Sequence, residues 1–591
     1  MALSWEAWLT LAVLILTIGA LTREALPPSS IVLGAVVVLL IAGIIDARQA
    51  FSGFSNPAPI TVAALYVLAR AVERTGALQP IARSVLGEAA RPRWSLARLL
   101  VPTAAASAFL NNTPIVAMLA PQVTDWADRR GASPSRYLMP LSFAAILGGV
   151  VTVIGTSTNL VVSGLLEAAG QPPLGFFEIT RIGLPLAVAG LALILFLAPF
   201  VLPERRSARR EMSDEAREFV VSMEVVPSGP LDGKPVEEGG LRHLQGVFLV
   251  EIERGSELIA PVTPTTVLRG RDRLTFVGRA DLVVDLHTTP GLVSAEQRHL
   301  VGLDSPHHTF FEAVVGASSP LLGKTLKEAG FRGRYQAAVV AIHRSGQRVR
   351  AKLGEVRLRL GDTILLLSDP GFRERWYDRN DFLLVSRLGG TSPTANRKAW
   401  LVGLVALAIV VVAGGGFFPI LHASLAGAIL LVAFGVLTPG EARRSVDLDV
   451  IILIAAAFGL AAAIQVSGLA DALAMLLVGG SKGMGLTGAL FGLVAATILL
   501  TELITNNAAA ALMFPIALST AASLGVDSRP LALAVAVAAS ASFLTPIGYQ
   551  TNTMVYGPGG YRFQDYSRLG LPLTVLVLAL TVFLVPRFWP S

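Results

Sequence analysis

Cysteine is absent from the 591 residues. No disulfide framework or thiolate metal site can therefore be built, and sulfur chemistry says nothing of the redox compartment. Charge is scarce too. Asp, Glu, Lys and Arg make up 15% of the chain, against roughly 25% in an ordinary soluble domain. No His-Glu-x-x-His, Gly-x-Ser-x-Gly or paired acid and base lies on the apolar runs, which speaks against a membrane enzyme. The Thr-Val-Gly-Tyr-Gly filter of potassium channels is missing as well.

What is present is apolar: 53% of the residues are hydrophobic. Runs long enough to span a bilayer, roughly 17–25 residues each, fall at about 3–21, 29–45, 58–78, 137–165 and 180–202. A second set falls near 398–416, 421–437, 448–467, 530–556 and 568–588. The first, 7-AWLTLAVLILTIGAL-21, has no basic leader and is expected to be a retained span rather than a cleaved signal. The net charge of +7 sits mostly in short loops flanking these runs. It therefore marks cytoplasmic ends rather than a nucleic-acid face.

Between the third and fourth run of each set lies a longer apolar stretch, 96–125 and 484–524, interrupted by Asn111-Asn112-Thr113-Pro114 and by Thr505-Asn506-Asn507. A helix that enters the membrane, breaks and returns explains both the length and the polar centre. Loop charge agrees. With residue 1 outside, the inner loops hold Arg23, Arg83, Arg91, Arg93, Arg98, Arg129, Arg130, Arg136, Arg443, Arg444, Arg562 and Arg568. The outer side keeps Arg48, Lys482, Arg529 and Arg587. This bias holds only if each interrupted stretch returns to the face it left.

The chain also repeats. A shift of 394 places Ser107 on Thr501, Asn111 on Thr505, Asn112 on Asn506 and Pro121 on Pro515. A shift of 393 places 155-GTSTN-159 on 548-GYQTN-552, and one of 387 places 182-IGLP-185 on 569-LGLP-572. An odd number of spans per half predicts that the halves are inverted, the architecture of secondary transporters. The region 204–395 differs, with alternating strands such as 246-GVFLVEIER-254 and 362-DTILLLSD-369. It repeats at an offset of 90, which lays 230-PLDGKPVEE-238 on 320-PLLGKTLKE-328. The expected fold is a polytopic α-helical membrane protein with two inverted repeats, each of about five spans plus one re-entrant hairpin. A soluble α+β insert separates them. The domains are expected at 1–203, 204–295, 296–395 and 396–591.

A broken helix frees carbonyl oxygens at one end and N–H groups at the next. Together with asparagine and threonine oxygens, the carbonyls suit a hard cation, while the N–H groups and the half-helix dipole suit an oxyanion. The segments Asn111–Pro114, Gly155–Asn159, Thr505–Asn507 and Gly548–Asn552 contain no basic residue. An anion there would be held by neutral donors and co-bound cations, which couples the two ligands. The alternative is that these side chains only join helices, at about 0.6–2 kcal/mol per contact. Four clusters repeating in register favour a site. Glu502 aligns with Ala108 and is expected to brace its hairpin rather than belong to the symmetric site.

These motifs, Asn111-Asn112-Thr113 with Pro121, 155-GTSTN-159, Thr505-Asn506-Asn507 with Pro515, and 548-GYQTN-552, resemble the divalent anion:sodium symporters of the ion transporter superfamily. The resemblance covers both membrane halves. It implies Ser107, Asn111, Asn112 and Gly155 at one sodium site and Thr501, Ile504, Asn506 and Gly548 at the other. It implies Asn111, Asn112, Thr113, Ser157, Asn159, Thr505, Asn506, Asn507 and Asn552 facing the anion. It further implies a homodimer whose transport region moves as an elevator, with Na⁺ as coupling ion, no other cofactor and no nucleic-acid partner.

Asn111 and Thr505 stand where that family has serine, Asn507 where it has threonine, and neither second motif has its double proline. The soluble repeats resemble the TrkA C-terminal domain. Symporters carrying such inserts are associated with sulfate, which places sulfate ahead of a dicarboxylate. Arsenite transport and Na⁺/H⁺ exchange are the other readings within the superfamily. For the insert, a regulatory nucleotide and a ligand-free assembly role are equal expectations. The expected location is a bacterial inner membrane, among lipid, with residues 204–395 cytoplasmic.

Overall fold

The computed structural model describes residues 3–23, 26–77, 92–205, 220–241, 247–255, 257–259, 262–278, 289–294, 309–316, 319–344, 347–349, 351, 353–376, 381–387, 397–480 and 484–589. Arg83, Arg91, Lys482, the charged segment 206–219 and the expected boundaries 295/296 and 395/396 lie outside the described residues. The chain divides into two compact units. One is Met1–Glu204 with Ser392–Tyr556 and Tyr561–Ser591, and the other is Arg205–Thr391 with Gly557–Gly560.

The first unit is helical. Its first half holds α1 (Trp5–Arg23), α2 (Pro28–Ile41), α3 (Ala47–Ala50), α4 (Pro57–Thr75), α5 (Pro92–Ser107), α6 (Asn112–Arg129), α7 (Leu138–Gly149), α8 (Ser157–Ala168) and α9 (Thr180–Val201). Its second half holds α10 (Ala399–Gly414), α11 (Ile420–Ala433), α12 (Pro439–Ser445), α13 (Leu448–Val466), α14 (Leu469–Gly480), α15 (Gly485–Thr501), α16 (Asn506–Leu524), α17 (Ser528–Ala539), α18 (Gln550–Tyr556) and α19 (Phe563–Phe588). The order recurs helix for helix: α15 starts 393 residues after α5, α16 394 after α6 and α18 393 after α8. Helix α14 was not anticipated as a separate element, and its place in the first half, 78–91, lies outside the described residues.

Two expected spans are corrected. The runs 137–165 and 530–556 are not continuous helices but broken ones, α7–α8 interrupted over 150–156 and α17–α18 over 540–549. Pro546 can donate no helical N–H in the second break. In the first, Gly155 leaves no room for a side chain: a Cβ there would lie 2.5 Å from the Gly149 carbonyl oxygen and 2.8 Å from that of Ser107. Apolar composition alone reads through such interruptions.

Among the described residues, α1, α9, α13, α16 and α19 are long and apolar enough to cross a bilayer. Burial sorts them. Helix α9 leaves Leu184, Val188, Phe196 and Phe200 exposed, whereas every residue of α7 and all of Pro530–Ala539 in α17 are buried. The broken helices α7 and α17 thus lie at the centre with α16, which is also largely buried, whereas α1, α9 and α19 turn much of their apolar surface outward. Helices α9 and α19 lie antiparallel. Arg181, at the start of α9, sits 5.5 Å from the ring of Trp589, just past α19. At the other end, Ser135 donates to the carbonyl of Pro203 beyond α9 and accepts, on its own carbonyl, from Tyr561 before α19. Arg74 near the end of α4 pairs with Glu441 in α12, which leads into α13.

The second unit contains two five-stranded antiparallel sheets built from β1 (Val220–Val225), β2 (Val247–Arg254), β3 (Glu257–Ile259), β4 (Arg273–Gly278), β5 (Leu292–Ser294), β6 (Thr309–Val314), β7 (Ala338–Arg344), β8 (Gln347–Arg348), β9 (Thr363–Ser368) and β10 (Leu384–Arg387). Their orders, β3-β2-β4-β1-β5 and β8-β7-β9-β6-β10, are the same topology repeated. Each copy has one buried bidentate pair at the same place. Arg254 Nε and Nη2 donate to Asp272 at 2.9 and 2.7 Å, and Arg344 Nε and Nη2 donate to Asp362 at 2.8 and 2.7 Å.

Candidate substrate and cation site

Each of the two interrupted stretches breaks for four residues, 108–111 and 502–505, before its second helix starts. The residues that open α6 and α16, Asn111 (φ −56°, ψ 143°) and Thr505 (φ −67°, ψ 146°), share one extended conformation, and neither side chain caps its helix. Thr156 likewise leaves α8 without a side-chain cap. Three helix N-termini therefore present first-turn N–H groups with no side-chain acceptor, the arrangement that holds an anion.

The same bonds recur in both halves. Ser107 Oγ donates to Asn112 Oδ1 at 2.5 Å, and Thr501 Oγ1 donates to Asn506 Oδ1 at 2.9 Å. Each pair gathers hydroxyl and amide oxygens beside a helix break. Across the halves, Thr113 Oγ1 donates to Gln550 Oε1 at 3.3 Å and Ser157 Oγ to Asn507 Oδ1 at 3.1 Å. Under the 393–394 offset these are one contact seen twice, since Thr113 maps on Asn507 and Ser157 on Gln550. Thr158 Oγ1 also reaches Asn507 Oδ1, at 3.3 Å.

Asn159 and Asn552, expected to face the anion, turn their amide donors to the backbone of their own halves. Asn159 Nδ2 donates to the carbonyls of Gly149 (3.3 Å) and Thr152 (2.9 Å), and Asn552 Nδ2 to those of Ser542 (3.0 Å) and Thr545 (3.3 Å). Both side chains are fully buried. Their amide donors clip their own breaks, supplying partners for carbonyls that the lost helical turn would leave bare. Asn552 Oδ1 accepts from Ser142 at 2.7 Å, whereas Asn159 Oδ1 is buried with no hydrogen-bond partner.

Gly155 lies against the Ser107 carbonyl, so Ser107, Asn112 and Gly155 come together as one cluster. In the second half Thr501 and Asn506 are bonded, whereas Gly548 faces Ser542, Glu502 and Thr545 instead. Glu502 braces that break: Leu544 N donates to its Oε1 at 2.8 Å and Thr545 N to its Oε2 at 3.0 Å. In the first half Thr152 Oγ1 ties the break to the Ala108 carbonyl, a neutral version of the same tie. Ile504 is buried, and Thr505 Oγ1 is buried without a partner. Asn111 stands at the head of α6, half-buried beside the cluster.

Residues 12–538 match the model of the CitMHS citrate transporter family. The chain belongs to that family. This citrate transporter family member is 37% identical over 557 residues to a "Putative sulfur deprivation response regulator" of Chlamydomonas reinhardtii, covering 92% of this chain and 95% of that one. It is 31% identical to the "Uncharacterized transporter YfbS" of Escherichia coli, with 98% of each chain covered. To "Sodium/sulfate cotransporter 1" of Chlamydomonas reinhardtii it is 25% identical, covering 99% of this chain and 90% of that one. The protein is accordingly a multi-pass membrane transporter and not an enzyme.

Sequence reasoning did not single out Tyr549, Thr156 and Gln550 as members of this candidate site. Asn112 Nδ2 donates to the Tyr549 hydroxyl at 2.6 Å, and Thr156 Oγ1 lies 3.4 Å from the same oxygen. The signal was present, because 155-GTSTN-159 laid on 548-GYQTN-552 aligns Thr156 with Tyr549 and Ser157 with Gln550.

Proposed function

We propose that the protein is a Na⁺-coupled symporter of a divalent oxyanion, sulfate being the reading favoured and a dicarboxylate the alternative to it. The observation that carries this reading is the doubled cluster, Ser107–Asn112 and Thr501–Asn506, beside uncapped helix N-termini. Oxygen ligands at the breaks suit Na⁺, and neutral N–H donors suit an anion that also needs the cations' charge. Relatives named as sodium/sulfate cotransporters support both ligands. A divalent anion bound only alongside cations makes transport of either depend on the other.

The antiparallel course of α9 and α19, and the meeting of the end of α4 with the segment leading into α13, support inverted repeats. Inverted halves around one site are the basis for alternating access, here as an elevator within a homodimer. The two repeated sheets support a pair of TrkA-C-like domains, and the bias of basic residues in the loops supports their lying on the cytoplasmic side.

Uptake of radiolabelled sulfate into proteoliposomes, with Na⁺, Li⁺ or K⁺ outside, tests the reading. Na⁺-driven uptake is expected, and it falls at least tenfold in Asn112→Ala and Asn506→Ala. Uptake indifferent to Na⁺ would refute the coupling, and unchanged uptake in both variants would return these residues to helix packing.

A further inference from the structure

Thr156 and Tyr549 are counterparts under the 393 offset, and they touch. In a two-fold arrangement, a residue that meets its own counterpart lies on the axis relating the halves. The flanking contacts Thr113–Gln550 and Ser157–Asn507 are related by the same operation and lie on either side. The axis between repeats is where a transporter of this architecture holds its substrate. The axial pair is unequal: threonine on one side, tyrosine on the other. The longer side chain reaches across to Asn112 of the opposite half at 2.6 Å, and no matching bond joins Thr156 to Asn506 among the described residues.

We infer that Tyr549 is the specificity-determining residue of this site. It narrows the axial space in favour of a small tetrahedral oxyanion over a longer dicarboxylate, and its hydroxyl donates a hydrogen bond to that anion. The inference rests on the Na⁺-coupled oxyanion reading. A phenol has one proton and accepts through the same oxygen. Here the oxygen accepts from Asn112 Nδ2, and the nearest other partner, Thr156, is loose at 3.4 Å. The proton is thus free for an anion oxygen. Asn112 meanwhile presents Oδ1 to the cation cluster with Ser107. One side chain then joins the two ligands: a cation polarises the amide, the amide orients the phenol, and the phenol holds the anion.

Tyr549→Phe and Tyr549→Thr test this in proteoliposomes, with labelled sulfate as probe and thiosulfate, succinate and citrate as competitors. Phenylalanine keeps the ring and its packing. It is expected to raise the Km for sulfate about 10- to 100-fold, the effect of losing one hydrogen bond to a charged group. It is also expected to raise the Na⁺ concentration needed for half-maximal uptake. Threonine restores symmetry and opens the axis, so succinate should compete in Tyr549→Thr where it does not in the wild type. A fall in Vmax alone, with Km and the sulfate-to-succinate preference unchanged in both variants, would show that Tyr549 merely packs and would overturn the inference. A wild-type protein that takes up none of these anions with Na⁺ would instead overturn the functional reading on which it stands.

Discussion

Replacing Glu502 separates bracing from proton chemistry. Its carboxylate accepts two main-chain N–H groups, Leu544 at 2.8 Å and Thr545 at 3.0 Å, within the break. Alanine leaves both N–H groups without an acceptor, at about 1–3 kcal/mol each and so roughly 2–6 kcal/mol in all. Glutamine keeps one acceptor oxygen but turns an NH₂ toward the other N–H, for a loss of about 1.5–3 kcal/mol, that of one charge-assisted bond. Thermal unfolding of the purified protein in detergent should rank wild type above Glu502→Gln and Glu502→Ala lowest. Uptake should fall in the same order, because residues 540–549 carry Tyr549 and Gly548 into the site. The pH profile of uptake should keep its shape in Glu502→Gln, since bracing uses no titration. A glutamine variant as stable as the wild type, yet with an altered pH profile or lost Na⁺ drive, would refute bracing and make Glu502 a coupling group.

Two glycines hold α9 and α19 against the breaks. A Cβ on Gly183 would meet the Val150 carbonyl carbon at 2.8 Å, and one on Gly570 the Phe543 carbonyl carbon at 2.6 Å. Gly183→Ala and Gly570→Ala should each cost about 1–3 kcal/mol by overpacking, read as a lowered unfolding temperature. Gly34→Ala, with nothing within 4 Å, serves as the control. Acid should destabilise the sheet-containing unit. The Arg375 guanidinium holds Asp369 below the usual carboxylate range, and N–H groups of Ser228 and Gly270 do the same for Asp232. A carboxylate whose folded pKa is depressed contributes stability above its unfolded pKa and loses it as pH falls through the folded one. Proteolysis within 205–391 of the full-length protein should therefore accelerate below about pH 4, with the membrane helices cut later.

The helix breaks at 108–111 and 502–505 were legible because their asparagines are polar groups in apolar runs, and because the pattern at 111–121 returns at 505–515. Glu502 was legible as standing outside the repeated pattern because its counterpart is Ala108. The breaks at 150–156 and 540–549 were not legible as breaks. Their residues are mostly apolar, and hydropathy counts composition without knowing where the chain loses its helical hydrogen bonds. Asn159 and Asn552 show the same limit. A motif locates them beside the site, but only the folded structure shows that their amides serve the carbonyls of their own breaks.

Composition and periodicity alone determined a membrane chain in two related halves with a strand-rich repeat between them, because lipid demands long apolar runs and repeats survive as fixed offsets. Which polar groups face one another was decided by tertiary structure. Residues hundreds apart, such as Asn112 and Tyr549, meet only when one half is packed against the other. No local rule relates their spacing to a contact. The pairing of a threonine with a tyrosine at the axis can be read as two aligned letters in the chain, but its meaning lies in a distance that folding sets.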